Sequence, residues 1–404
     1  MKSPDASFFT GNREAVYDAL KGGLLVVTAY TQTQRSNDTA FRFEQEANFW
    51  YLTGIEHPDW KLLIDAKRRK SWLVAPHVEQ HHELFDGSLS HEHASLISGI
   101  HDVIDERAAD AWLMQASRSH TIVHMIDVPA HAEYFGFYLN PSIKETREML
   151  DRLFTKVQDF RPDLAKLRAI KQPEEIAFMQ SAIDLTIEQF QHVYKQFASY
   201  KYEYEIEADF SVGFRRSGAP GHAYDPIVAA GANACTLHYI RNDSKLSKGQ
   251  MVLLDIGARR NGYAADITRT YAFGKVTKRQ RQVHEAVEYA QSEIIDLIEP
   301  GLMLDEYQDL VDGIMQRTLK ELKLISGPDD DKYRKYFPHA ISHGLGIDVH
   351  DALGRPRMLQ EGMVLTVEPG IYIPEEKIGI RIEDDILVTS SGHRNMSAKL
   401  STAL

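Results

Sequence analysis

Residues 249–273 read GQMVLLDIGARRNGYAADITRTYAF. An apolar run from Met251 to Leu254 ends on Asp255, and a return segment spans Tyr263 to Phe273. Between them stands Asn261-Gly262, a strong signal for a type I′ turn because both central residues of that turn need positive φ. The stretch predicts an antiparallel hairpin. With Asn261 and Gly262 in the turn, Arg260 faces Tyr263 and Asp255 faces Thr268. Asp266 is two residues from Thr268, so both aspartates leave one face as diagonal neighbours, about 7 Å apart or less at Cβ. Carboxylates so placed repel each other unless a cation lies between them. Alone, the pair is equally consistent with one exposed and one capping aspartate.

The segments that follow decide between these readings. Residues 337–351, FPHAISHGLGIDVHD, hold His339, His343 and His350, with Gly344 and Gly346 permitting close backbone approach. Glu368 ends the apolar strand Met363–Val367 just before Pro369-Gly370. In Gly379-Ile380-Arg381-Ile382-Glu383-Asp384-Asp385, alternation puts Arg381, Glu383 and Asp385 on one face and the isoleucines on the other. Asp384 then points away from the other acids. Asp255, Asp266, His343, Glu368 and Glu383 all sit in apolar surroundings, where an unpaired charge is costly to bury. Four carboxylates and one imidazole suit two divalent cations better than one structural zinc. Paired cations of this kind supply a nucleophile and clamp a carbonyl. The set predicts a two-metal hydrolase.

Composition narrows the field. A chain of 404 residues is long for one core, so two domains are expected. A formal charge of −12, with only short basic runs such as Lys67-Arg68-Arg69-Lys70, argues against nucleic acid as a partner. Cys235 is the only cysteine, which rules out an internal disulfide and points to a reducing, cytoplasmic setting. No apolar run approaches the ~18 residues of a membrane span, so no membrane partner is expected.

Along the chain, residues 23–28, 62–65 and 71–75 read as buried strands, and Arg13–Lys21 and Thr146–Phe160 as helices. Phe160-Arg161-Pro162-Asp163 reads as a connector. Pro173, Glu174 and Glu175 suit the first turn of a long helix. Further helices are expected over 202–216, 278–298 and 303–323. The domains so defined are residues 1–163, a small α/β domain, and 164–404, an α+β domain with a curved sheet holding the site.

The ordered acids and histidine resemble the pita-bread metallopeptidase family of methionine aminopeptidases, prolidases and Xaa-Pro aminopeptidases. The match runs through D-I-G-x7-A-D-I-T-R-T, H-G-L-G-x-D-V-H-D, T-V-E-P-G-I-Y-I and G-I-R-I-E-D-D. Upstream, Arg35–Thr39, Phe41–Gln45 and Phe49–Gly54 are similar to the N-terminal domain of Xaa-Pro aminopeptidases, which methionine aminopeptidases lack. The resemblance implies an α+β fold, with a C-terminal pita-bread (creatinase/aminopeptidase) domain and a smaller N-terminal α/β domain.

It also implies roles. Asp255, Asp266 and Glu383 would hold one metal, and Asp266, His343, Glu368 and Glu383 the other. Mn(II) suits the set, with Zn(II), Co(II) or Fe(II) as alternatives. Glu368 would also accept a proton, with His238 near the reacting carbonyl and His350 near the scissile bond. His339 and Arg381 would line the proline side, with Tyr372 near the metals. Asp38 resembles an aspartate placed at a neighbouring subunit's active site, which implies a homodimer or homotetramer. The implied activity removes the N-terminal residue from peptides with proline second, by attack on the carbonyl before proline. The alternative is a prolidase restricted to dipeptides. Two departures bear on that choice: Phe85 stands where related enzymes often carry tryptophan, and the loop Asp351–Arg357 is shorter than in many relatives. A metal-free binding protein of this fold, or a creatinase-like hydrolase, is disfavoured because all five ligand positions are kept.

Overall fold

The computed structural model describes residues 4–327 and 330–404. The chain forms two compact units, one ending at Leu167 and one beginning at Arg168.

The N-terminal unit is built on a six-stranded mixed sheet. Its spatial order is Val103–Asp105, Lys70–Ala75, Lys61–Asp65, Leu24–Thr28, Ile122–Met125 and Lys156–Asp159. The central pairs are antiparallel and the outer pairs parallel. The central strands are covered on both faces and so read as continuous apolar runs. Val26, Leu63, Trp72, Val74, Leu113 and Leu150 form the core.

Two sequence expectations fail in this unit. The helix expected over Thr146–Phe160 is instead Pro141–Leu153, started by Asn140, whose side chain accepts from the Ser142 N–H at 3.2 Å. Phe154 then turns extended and buries its ring, and Lys156–Asp159 joins the sheet parallel to Ile122–Met125. Sheet pairing outweighs the helical spacing of residues 154–160. The expected connector at Phe160–Asp163 opens the helix Arg161–Ala169, with Asp159 accepting from the Arg161 N–H at 2.9 Å.

In the C-terminal unit the hairpin takes the expected register. Asp255 pairs with Thr268 and Arg260 with Tyr263, and Asn261 and Gly262 have φ of 52° and 81°. Gly257 has no room for a side chain, since a Cβ there would run into the Ala265 carbonyl and the Tyr224 ring. The other strands form small sheets joined at single points. The bridges Thr268–Glu383 and Gly344–Leu365 tie the hairpin, the histidine segment and the last strands together. Helices Lys278–Asp296 and Leu304–Glu321 cover the opposite side. There Val283, Val287, Val311 and Met315 pack with Leu365, Val367, Ile380 and Ile382. The alternation in Ile380-Arg381-Ile382-Glu383 thus sends isoleucines to the core and charges to the site. Arg269, 1% exposed, donates to Asp384 at 2.7 Å and to the Glu383 carbonyl at 2.7 Å, fixing the backbone at Glu383. Among the described residues no helix is long and apolar enough to cross a membrane.

Candidate metal centre

Three acids leave the backbone where strands break. Asp266 falls between Tyr263–Ala264 and Ile267–Phe273, Glu368 between Val364–Val367 and Gly370–Ile373, and Glu383 between Ile378–Arg381 and Asp384–Thr389. Their N–H groups find partners outside the parent hairpin. Asp266 N donates to Asp385 Oδ2 at 3.3 Å, Glu368 N to the Ile341 carbonyl at 3.0 Å and Glu383 N to the Thr268 carbonyl at 3.0 Å.

The structure brings the five sequence-predicted ligands together. Asp266, His343 and Glu383 each offer a ligand atom within 4.8 Å of the others. His343 Nε2 lies 3.4 Å from Asp266 Oδ2 and 3.6 Å from Glu368 Oε1, while its Nδ1 faces the Gly344 carbonyl at 3.0 Å. That second contact fixes the ring so that Nε2 addresses the acids. Asp255 joins through Tyr224, whose hydroxyl donates to Asp255 Oδ1 at 2.6 Å and Asp266 Oδ1 at 2.7 Å. Thr268 donates to Glu383 Oε2 at 2.6 Å.

A second chain runs outward from Asp255. The Arg381 guanidinium pairs with Asp255 and donates to Tyr372 at 2.8 Å and to Thr268 at 3.2 Å. Tyr372 in turn lies 2.9 Å from His339 Nε2. His350 stands edge-on to His343, ring centres 4.3 Å apart. His238 is exposed and lies near His339. Asp38 belongs to the N-terminal unit, at the exposed tip of the hairpin Gln34–Ser36/Thr39–Ala40.

Four buried or half-buried carboxylates face one guanidinium and one imidazole, and the proton affinities register the excess. Burial, with Asp266, Glu368 and Asp255 around it, raises Glu383 well above the carboxylate range. Burial likewise raises Asp266, and lifts Glu368 to about 7. Burial opposes charge on His343, but the hydrogen bond and charge of Asp266, with Glu368, lift it to about 9. Burial, with Asp255 and Asp266, keeps the proton on Tyr224, so its single O–H is shared between the two aspartates. His339 is driven down to about 4 by burial and then by Arg381, and is neutral at pH 7.

Hard oxygens, one neutral-capable imidazole and excess negative charge fit divalent cations. Sequence reasoning missed Tyr224 and Thr268. Thr268 was within reach, since the hairpin register sets it opposite Asp255. Tyr224 sits in an irregular segment with no local signal.

Residues 177–390 match the model of metallopeptidase family M24, and residues 9–124 match the aminopeptidase P N-terminal domain. The chain is 32% identical to the Xaa-Pro aminopeptidase of Escherichia coli, covering 97% of this chain and 94% of that protein. It is 33% identical to human Xaa-Pro aminopeptidase 3, covering 93% and 78%. The low-pH form of aminopeptidase P from E. coli superposes with a TM-score of 0.86 at 30% identity, covering 100% of this chain and 97% of that one. Proline aminopeptidase P II from Yersinia pestis gives 0.83 at 29%, covering 98% and 97%. The chain therefore belongs to the M24 Xaa-Pro aminopeptidase family.

Proposed function

We propose that the chain is a metallo-aminopeptidase that removes the first residue from peptides with proline second. The observation that carries the reading is full-length likeness to Xaa-Pro aminopeptidases combined with an intact cluster of Asp255, Asp266, His343, Glu368 and Glu383. On this reading Asp255, Asp266 and Glu383 would hold one cation, and Asp266, His343, Glu368 and Glu383 would hold the other. Two Mn(II) ions suit this oxygen-rich set, with Zn(II), Co(II) or Fe(II) able to replace them. When bound, they supply Lewis acidity and a nucleophile at neutral pH.

The protein's own groups do the rest. Glu368 would accept the proton released during attack, the general-base role of a carboxylate beside the reacting water. His238 faces the carbonyl oxygen and His350 the peptide beside the scissile bond. An Xaa-Pro bond has no N–H, so recognition reads the ring by shape, which His339, Tyr372 and Arg381 provide on one side. Arg381 is engaged by Asp255, Tyr372 and Thr268, which leaves it poorly suited to clamp a dipeptide's terminal carboxylate. This favours an aminopeptidase over a strict dipeptidase. The residues beyond Leu167 form the catalytic domain and those before it an aminopeptidase P-like domain. Asp38 meets a neighbouring subunit in a homodimer or homotetramer. Cysteine usage supports a cytoplasmic location.

The test offers metal-stripped, Mn(II)-reconstituted protein Gly-Pro and Gly-Pro-Ala in parallel, with products read by mass spectrometry. Release of glycine from the tripeptide is expected. Cleavage of the dipeptide alone would replace the proposal with a prolidase.

A further inference from the structure

We infer that Arg168, Lys171 and Asp351 are positioning residues that hold His350 beside His343, an inference that rests on the proposed peptidase reading. Residues 344–351 form a closed loop, with Asp351 N donating to the Gly344 carbonyl at 2.8 Å. His343 immediately precedes that closure and His350 is the last residue enclosed by it, so the closure sets the distance between the two rings.

Beneath the loop lies a buried ion cluster. Lys171 Nζ donates to Asp351 Oδ2 at 3.0 Å and to the Arg168 carbonyl at 2.6 Å. Arg168 Nη2 lies 2.9 Å from Asp351 Oδ1 and 2.8 Å from Asp348 Oδ2. The side chains of Arg168, Lys171 and Asp351 are 5%, 3% and 3% exposed, whereas Asp348 is at the surface. Both oxygens of Asp351 are therefore held by cations.

The loop is shaped to admit this cluster. A Cβ at Gly346 would run into Asp351 Oδ2 and approach Lys171 Nζ at 2.7 Å, and one at Gly344 would run into the Asp351 carbonyl. Lys171 is itself anchored, its N–H donating to the Gly362 carbonyl at 2.8 Å.

Desolvating such ions costs several kcal/mol each, and apolar residues of similar volume often give equal or better stability. Stability alone therefore does not account for the cluster. Its location accounts for it: it fixes Asp351, the residue next to His350, from two directions.

The experiment compares K171M and D351N with V311A, a truncation in the core helix Leu304–Glu321, at a temperature where each is folded by circular dichroism. Cleavage of Gly-Pro-Ala is measured, alone and in an H350A background. K171M and D351N are expected to raise KM about tenfold or more with a smaller change in kcat, while V311A leaves both near wild type. With His350 already removed, K171M should change KM less than about twofold. Amide exchange of residues 344–351, read by mass spectrometry, should quicken in K171M and D351N but not in V311A. The inference is overturned if all three variants shift KM alike, if K171M acts undiminished without His350, or if exchange is unchanged. Absence of cleavage by the wild type would overturn the proposed function instead, and exchange alone would then decide the role of the cluster.

Discussion

Tyr224 shows how much a single hydroxyl contributes to this site. It donates to one oxygen of each hairpin aspartate, leaving the other oxygens turned elsewhere, and its raised pKa keeps it a donor. Groups that orient ligands in this way typically cost 10–100-fold in metal affinity when removed. Tyr224→Phe should therefore weaken Mn(II) binding by about 10–100-fold, with activity recovered at high Mn(II). Titration calorimetry on metal-stripped protein checks this; wild-type affinity in the variant would show that the hydroxyl does not orient the aspartates. The four clustered acids and the histidine were legible because each lies in a short apolar segment where a charge has no structural excuse. Tyr224 was not legible. Its partners are 31 and 42 residues further along, and only the folded chain brings them together.

Among elements, the hairpin was the most legible because its register depends on two turn residues and strict alternation, both local. Gly257 is the point where that alternation meets a spatial limit, lying between the strands Gln250–Ile256 and Ala258–Arg260 with the Ala265 carbonyl against it. Gly257→Ala should shift the paired strands and cost at least about 2 kcal/mol, at the upper part of the range for overpacking. A lowered urea midpoint with an unchanged slope is the expected sign. A wild-type midpoint would mean that the hairpin tolerates the methyl group. Legibility failed at residues 154–160, where an apolar spacing compatible with helix was captured by the parallel edge of a mixed sheet. Such a strand is specified by its distant neighbour Ile122–Met125 rather than by its own sequence.

For the whole molecule, the acid cluster ties stability to protons and to metal. Glu368 is raised from 4.5 to about 7 and His343 from 6.5 to about 9 on folding, so the metal-free native state binds more protons than the unfolded chain. Stability from these groups is fully present below their unfolded values and lost as pH rises through the folded ones. Metal-free protein should therefore lose stability from Glu368 between about 4.5 and 7, and from His343 between about 6.5 and 9. Cations compete with those protons, so metal binding strengthens over the same range. The gap in Tm between Mn(II)-loaded and metal-free protein should widen steadily from about pH 5 to about pH 9. A gap that stays constant with pH would place the metal away from these residues. Cleavage before proline by this cluster, loaded with metal, is the activity proposed for the chain. It is tested most directly by titrating metal-stripped protein with Mn(II) while following glycine release from Gly-Pro-Ala. Turnover should be absent without metal, saturate at two equivalents per chain and vanish in Glu368→Gln. Turnover by metal-free protein, or an intact tripeptide after full metal loading, would contradict the account.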